Sequence, residues 1–223
     1  MERVLHIIPT PIGNLEDITY RSVRLLKQSD LVLAEDTRTT KKLLSHYGIK
    51  TKMISYHKYN EHKILNNVIE KIYKGINCCL VSDAGTPGIS DPGFLIIREC
   101  IKKQINVICL PGPTACIPAL IQSGFPSDKF YFNGFIPIKK GRKKTITEIL
   151  QKNCSSIIYE SKHRIIKTIR EFAEIDPQRE AVIVKELTKL HENTYRGSLE
   201  NLLKLFSELK LKGEFIIILN GKK

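Results

Sequence analysis

"INCCLVSDAGTPGISDPG", residues 76–93, joins an apolar run to twelve residues holding three glycines, two prolines, two aspartates, two serines and a threonine. The run has the length and content of a buried strand. The twelve residues after it have the composition of a tight, preformed turn, because Gly and Pro set unusual backbone angles and short polar side chains bond neighbouring backbone. Directly beyond, "PGFLIIRECIKKQ" carries helical period. A strand that ends in such a loop and passes into a helix is the repeating unit of an α/β sheet, in which ligands bind at strand ends.

The same rhythm fills the first half of the chain. "VLHII", "DLVLAED", "MISYH", "NCCLVSD" and "NVICLPG" read as strands, with "SVRLLKQS", "TRTTKKLLSHYG", "EHKILNNVIEKIYKG" and "PGFLIIRECIKKQ" as helical segments between them. Three of these strands run into Gly and Pro: Pro9-Thr10-Pro11-Ile12-Gly13, Asp83 to Gly93, and Pro111-Gly112-Pro113-Thr114. If the strands are parallel and these three ends lie together, the loops line one crevice. Any tight strand-to-helix turn also favours Gly and Pro, so the inference depends on strand order.

Past "ACIPALIQSGFPSDKF" the pattern restarts. "FYFNGF", "SSIIYES", "EAVIVKEL" and "GEFIIILNG" read as strands, and Arg142–Gln151, His163–Glu174 and Leu199–Leu209 as helical stretches. The expected fold class is therefore α/β, in two α/β domains covering residues 1–124 and 125–223.

Composition bounds the function. With 223 residues, 42% of them hydrophobic, the chain can bury a core unaided. Its start lacks the basic and apolar regions of a signal peptide, and no apolar run approaches the ~20 residues of a spanning helix. A soluble, cytoplasmic protein with no membrane partner is expected. The six cysteines fall in apolar stretches without paired-ligand spacing, which reads as reduced core thiols and no metal site. The net charge is +13: residues 1–124 hold 16 basic against 11 acidic side chains and residues 125–223 hold 20 against 12, giving +5 and +8. Such an excess favours a polyanionic partner, since phosphate contacts release counterions, although lysine-rich composition alone also produces it. "KKGRKK", residues 139–144, carries five positive charges in six residues. Lys139, Lys140, Arg142, Lys143 and Lys144 are the candidate RNA-phosphate contacts; the alternative is a solvated tether.

Missing motifs narrow the field further. The sequence has no G-x-x-x-x-G-K-[ST] cradle and no G-x-S-x-G elbow, and its first strand ends in "PTPIGN" in place of G-x-G-x-x-G.

"TPIGNLEDITYR", "AEDTRTTKKLLSHYGI", "SDAGTPGISDPG", "PGPTA", "GFIP" with its basic run, "YESKHR", "KELTKLHE" and "GEFIIILNG" occur in that order from Val4 to Gly221. Together they resemble the RsmI branch of the tetrapyrrole methylase superfamily. The resemblance implies a homodimeric, two-domain methyltransferase that holds S-adenosylmethionine in a cleft between domains. It also implies methylation of a ribose 2′-hydroxyl on a decoding-region cytidine of small-subunit (16S) ribosomal RNA, in the free RNA or the 30S subunit. On that basis Asp83, Gly85, Thr86, Gly88, Ile89, Ser90 and Asp91 wrap the cofactor. The glycines let the backbone approach it, Pro11 and Pro111 form walls, and Thr114 and Ala115 meet it where the next helix begins.

Because the sulfonium of such a cofactor already activates the methyl group, no metal and no covalent intermediate are needed. The residues expected at the reacting centre are Asp36 as base, with Glu186 as the other candidate, and Arg38 and Lys185 to place the phosphate or ease the hydroxyl's ionisation. Asp36 and Thr37 equally suit the capping of a helix N-terminus. Lys189 mixes charge into the same strand exit as Lys185 and Glu186, and His163 and His191 read first as structural hydrogen-bonders. Two features depart from the family pattern: Lys162 stands where proline is usual, and many relatives continue beyond the last strand with a small helical extension, whose RNA contacts are expected to be missing here. The alternatives are methylation of a small tetrapyrrole, which has little need of +13, and a non-catalytic RNA-binding assembly factor.

Overall fold

A computed structural model describes residues 3–222 and divides the chain into two compact units, Met1–Thr114 and Ala115–Lys223. The boundary falls before the helix Cys116–Ser123, not after it at Gly124, because that helix contacts strands of the second unit.

The first unit alternates strands β1 (Val4–Ile7), β2 (Leu31–Ala34), β3 (Met53–Ser55), β4 (Cys78–Val81) and β5 (Asn106–Cys109) with helices α1 (Tyr20–Gln28), α2 (Thr37–His46), α3 (Glu61–Tyr73) and α4 (Phe94–Lys102). The strands form one parallel sheet in the order β3-β2-β4-β1-β5. The inner strands β2, β4 and β1 are buried at every position, as expected for parallel strands covered on both faces. Leu5, Ile7, Leu33, Tyr56, Ile72, Leu80 and Ile96 fill one side of the sheet; Ile8, Leu26, Val32, Leu44, Cys79 and Val81 fill the other.

The second unit begins with α5 (Cys116–Ser123) and continues through β6 (Phe130–Phe135), α6 (Arg142–Leu150), β7 (Ser155–Ser161), α7 (Ile165–Ala173), β8 (Glu180–Lys185), β9 (Asn193–Ser198), α8 (Leu199–Glu208) and β10 (Glu214–Leu219). Its sheet is mixed, in the order β6-β7-β10-β8-β9. Strand β6 runs parallel to β7, and the other pairs are antiparallel. The sequence pattern gives no sign of β9. "NTYRGS" is polar and carries Gly197 inside it, and it survives as an edge strand because it pairs on one side alone, with β8.

Two further expectations need correction. Cys78, Cys79, Cys100 and Cys116 are buried thiols, but Cys109 is exposed at the end of edge strand β5 and Cys154 is half-buried. Arg142, counted with the basic run, is turned inward. Its guanidinium bonds Glu171 at 2.7 Å, Thr168 Oγ1 at 2.7 Å and the Pro137 carbonyl at 3.2 Å. Thr168 in turn donates to Glu160, whose buried carboxylate pairs with Arg164 at 2.8 Å. The run thus offers four exposed cations, Lys139, Lys140, Lys143 and Lys144, beside an arginine that ties α6 to α7. No helix among the described residues is long and apolar enough to cross a membrane.

Candidate active site

Strand order decides the site. β4, β1 and β5 are neighbours, so the three Gly/Pro-rich exits emerge side by side at one edge of the first sheet. They are stitched together. Thr10 and Gly85 exchange backbone hydrogen bonds in both directions at 2.9 Å. Thr10 Oγ1 donates to the Ser82 carbonyl at 3.0 Å, and Thr86 Oγ1 donates to the Pro113 carbonyl at 2.9 Å. The loops containing Pro11, Asp83 to Asp91 and Pro111 to Thr114 therefore form one preorganised rim, with Ala115 next to it in sequence as the N-cap of α5.

The glycines have a reason inside the loop. Gly85, Gly88 and Gly93 lie at φ of +83°, +87° and +144°, a backbone region costly for any side chain, and Ser90 shares it at +67°. Gly112 is small for a different reason: a Cβ there would come within 2.8 Å of Pro9, where the exits of β5 and β1 touch. Close approach of a ligand is thus not needed to explain Gly85 or Gly88, while the turns they permit leave loop backbone at the rim.

β2 also neighbours β4, and this brings acidic residues to the same edge. The Asp36 N–H donates to Asp83 Oδ1 at 3.1 Å, and the Asp83 N–H donates to Glu35 Oε2 at 3.3 Å. Burial raises the pKa of Glu35 and of Asp83. Burial, together with the charges of Glu35 and Asp83, lifts Asp91 to about 7. This group was not legible as a cluster in the sequence, since Glu35 and Asp91 sit far apart along the chain.

Asp36 is the opposite case. It caps α2, accepting from the Arg38 N–H at 2.8 Å, and both its oxygens are also taken by the Arg38 guanidinium at 2.6–3.1 Å. Those hydrogen bonds hold its pKa down at about 2. Capping and ion pairing, the two readings of "EDTRTT", are both realised. Apart from this pair the Arg38 side chain faces solvent, at 87% exposure.

The other candidates belong to the second unit. Lys185 closes β8, and Glu186 follows at φ +52°. Glu186 Oε1 accepts from the Glu214 N–H and from Lys189 Nζ, both at 2.9 Å, and Lys189 also reaches Glu214 Oε2 at 2.8 Å. Burial works against the Glu186 charge, but these bonds outweigh it and keep the carboxyl below its ordinary value. Glu186 is a pin between strand ends, its Oε1 committed to the Glu214 N–H and to Lys189.

A parallel α/β sheet whose strand-end loops make one rigid rim, followed by a mixed α/β unit, is the architecture of a class of methyltransferases. The family model for tetrapyrrole (corrin/porphyrin) methylases matches residues 4–203. Ribosomal RNA small subunit methyltransferase I of Halalkalibacterium halodurans is 44% identical over 218 residues, covering 97% of this chain and 75% of that protein. The protein of the same name from Thermotoga maritima is 41% identical over 219 residues, covering 98% and 99%. Among solved structures, diphthine synthase superposes with a TM-score of 0.75 at 13% identity, covering 97% of this chain and 90% of that one. Cobalt precorrin-4 methyltransferase does so with 0.70 at 17%, covering 98% and 95%, and at such identities the likeness is one of fold. The chain belongs to the tetrapyrrole methylase family, in the branch whose members are named ribosomal RNA small subunit methyltransferase I. It is a methyltransferase.

Proposed function

We propose that this protein methylates the ribose 2′-hydroxyl of a decoding-region cytidine in small-subunit ribosomal RNA, using S-adenosylmethionine, in the cytoplasm and as a homodimer. The observation that carries this reading is the stitched rim of three strand-end loops on a chain 41–44% identical to proteins named for small-subunit rRNA methylation. The charge of +13 and four exposed lysines between residues 139 and 144 suit a polyanionic substrate with many phosphates.

The residues of the rim fit the cofactor. Loop backbone, turned by positive φ at Gly85, Gly88 and Ser90, supplies amides and carbonyls, with Ile89, Pro11 and Pro111 as apolar walls. The carboxylates of Asp83, Asp91 and Glu35 suit the cofactor's positive charges, and Thr114 and Ala115 would close the rim. When bound, the cofactor supplies a methyl group already activated by its sulfonium. The remaining tasks of the protein are alignment of the ribose oxygen and removal of its proton. Asp36 is the proton acceptor in this reading, and it becomes available when RNA phosphate draws the exposed Arg38 guanidinium away. Lys185 assists in placing phosphate, and Lys139, Lys140, Lys143 and Lys144 grip the flanking backbone. Asp91 is the second candidate base, favoured by a pKa close to neutrality.

The test is mass spectrometry of small-subunit rRNA from cells with and without the protein. Loss of a single ribose methyl supports the proposal, and an unchanged methylation pattern refutes it.

A further inference from the structure

The first unit carries a second concave surface, which neither the rim nor the lysine-rich segment explains. Helix α1 and the end of α2 border a groove of about 810 Å³ lined by Tyr20, Arg24, Lys27, His46 and Tyr47, and also by acidic Glu16 and apolar side chains. Tyr20, the first residue of α1, is 98% exposed, so its ring is offered to solvent with almost no packing role. Tyr47 is held differently: its hydroxyl donates to the Leu15 carbonyl, which fixes the ring as a wall. Among the described residues, no carboxylate forms an ion pair with Arg24, Lys27 or Lys42.

Helix α2 links this groove to the candidate active site. Arg38, Lys42 and His46 stand at i, i+4 and i+8, so they share one helix face over ~12 Å. Arg38 is bound to Asp36 at the reacting end. Lys42 borders a smaller cavity of about 190 Å³ whose other walls include Thr10, Pro11, Ser82 and Asp83 of the rim. His46 stands in the groove. A line of basic side chains thus runs from the rim to a tyrosine-lined hollow that holds Arg24 and Lys27.

We propose that this face is a track for the single-stranded RNA flanking the methylated nucleotide, with its phosphates on Arg38, Lys42, Arg24 and Lys27 and an unpaired base stacked on Tyr20. The proposal rests on the RNA-substrate reading above. Single-stranded RNA is the occupant because cations beside aromatic faces are what it needs: charge for the backbone and a π-face for bases that are not paired. A second copy of this chain suits the face poorly, since a two-fold contact would set its cations against themselves.

The test uses the full chain, a single-stranded RNA oligonucleotide of decoding-region sequence, and 30S subunits. Tyr20→Ala should weaken oligonucleotide binding by about fivefold or more, with Tyr20→Phe close to wild type, because the ring and not the hydroxyl stacks. Arg24→Gln with Lys27→Gln should flatten the log–log dependence of affinity on salt by roughly 1.4, or about 0.7 per phosphate released. S-adenosylmethionine affinity should be unchanged in every variant. Wild-type affinity and salt slope in these variants would overturn the track, as would a change in oligomeric state with RNA affinity intact, which would assign the face to self-association. A wild-type chain that methylates 30S subunits while the variants match it refutes the track alone; a wild-type chain that binds no RNA refutes both readings.

Discussion

The backbone N–H of Asp36, at the end of β2, donates to the carboxylate of Asp83, at the end of β4, across 3.1 Å. The bond joins the loop that opens α2 to the loop that begins the candidate cofactor rim. Anything that moves one therefore moves the other, and the proposed base is held in register with the proposed cofactor site.

Asp36 and Arg38 can be separated by their kinetics. Asp36→Asn keeps the shape and removes the charge, so single-turnover methylation should slow by about 10²- to 10⁴-fold with RNA and cofactor affinities little changed. Arg38→Met should mainly raise KM for RNA, since it removes a phosphate contact while releasing the Asp36 carboxylate. The pH profile adds a second check: Asp36 stays ionised from about pH 5 upward, so kcat/KM should show no acid limb near neutrality. A limb at about 7 would assign the proton to Asp91.

Asp91 should make both stability and cofactor binding depend on pH. Its folded pKa of about 7 lies above the ~4 of an unfolded aspartate. The folded state therefore holds a proton that the unfolded state has released, and stability falls as pH rises from about 4 to 7. Asp91→Asn should accordingly raise the melting temperature at about pH 8 relative to wild type and leave it nearly unchanged at about pH 4. Wild-type affinity for S-adenosylmethionine, measured by calorimetry, should be higher at about pH 8 than at about pH 6, because the cation prefers the ionised cluster. Equal affinities would remove Asp91 from the cofactor's surroundings.

The basic run should split into two functions. Replacing Lys139, Lys140, Lys143 and Lys144 with glutamine should lower RNA affinity and flatten its salt dependence by roughly 0.7 to 0.9 for each phosphate no longer neutralised, leaving the melting temperature alone. Arg142→Met should do the reverse. It leaves Glu171 and Thr168 without their buried partner and should cost on the order of 3 kcal/mol in chemical denaturation, with the salt slope intact.

Much of this was readable in the sequence, and the unreadable remainder has physical causes. The first sheet is legible because β1, β2 and β4 are short apolar runs followed by turn residues, and helical period separates them. Strand order is set by packing of helices on the sheet, so the meeting of Glu35, Asp83 and Asp91 cannot be read from spacing. β9 was hidden because an edge strand needs only one partner and tolerates polar residues. Arg142 looked like its lysine neighbours because charge in a run says nothing of which side chain the helix turns inward.

Gly88 tests the rim itself. Its φ of +87° is costly for any side chain, while a Cβ there would find Ile97 at an ordinary 3.7 Å. Gly88→Val should therefore abolish S-adenosylmethionine binding with a modest fall in stability, on the order of 1–2 kcal/mol. Unaltered cofactor affinity would show that the loop does not shape the site.

Ribose methylation of small-subunit rRNA is tested most directly in a purified system. 30S subunits from cells lacking the protein are incubated with the chain and S-adenosylmethionine, and the small-subunit rRNA is then digested and sequenced by mass spectrometry. One new methyl group is expected, on the ribose of a decoding-region cytidine, dependent on Asp36 and absent without cofactor. A methyl group on a base, or no transfer to RNA alongside methylation of a porphyrin-like acceptor, would contradict that expectation.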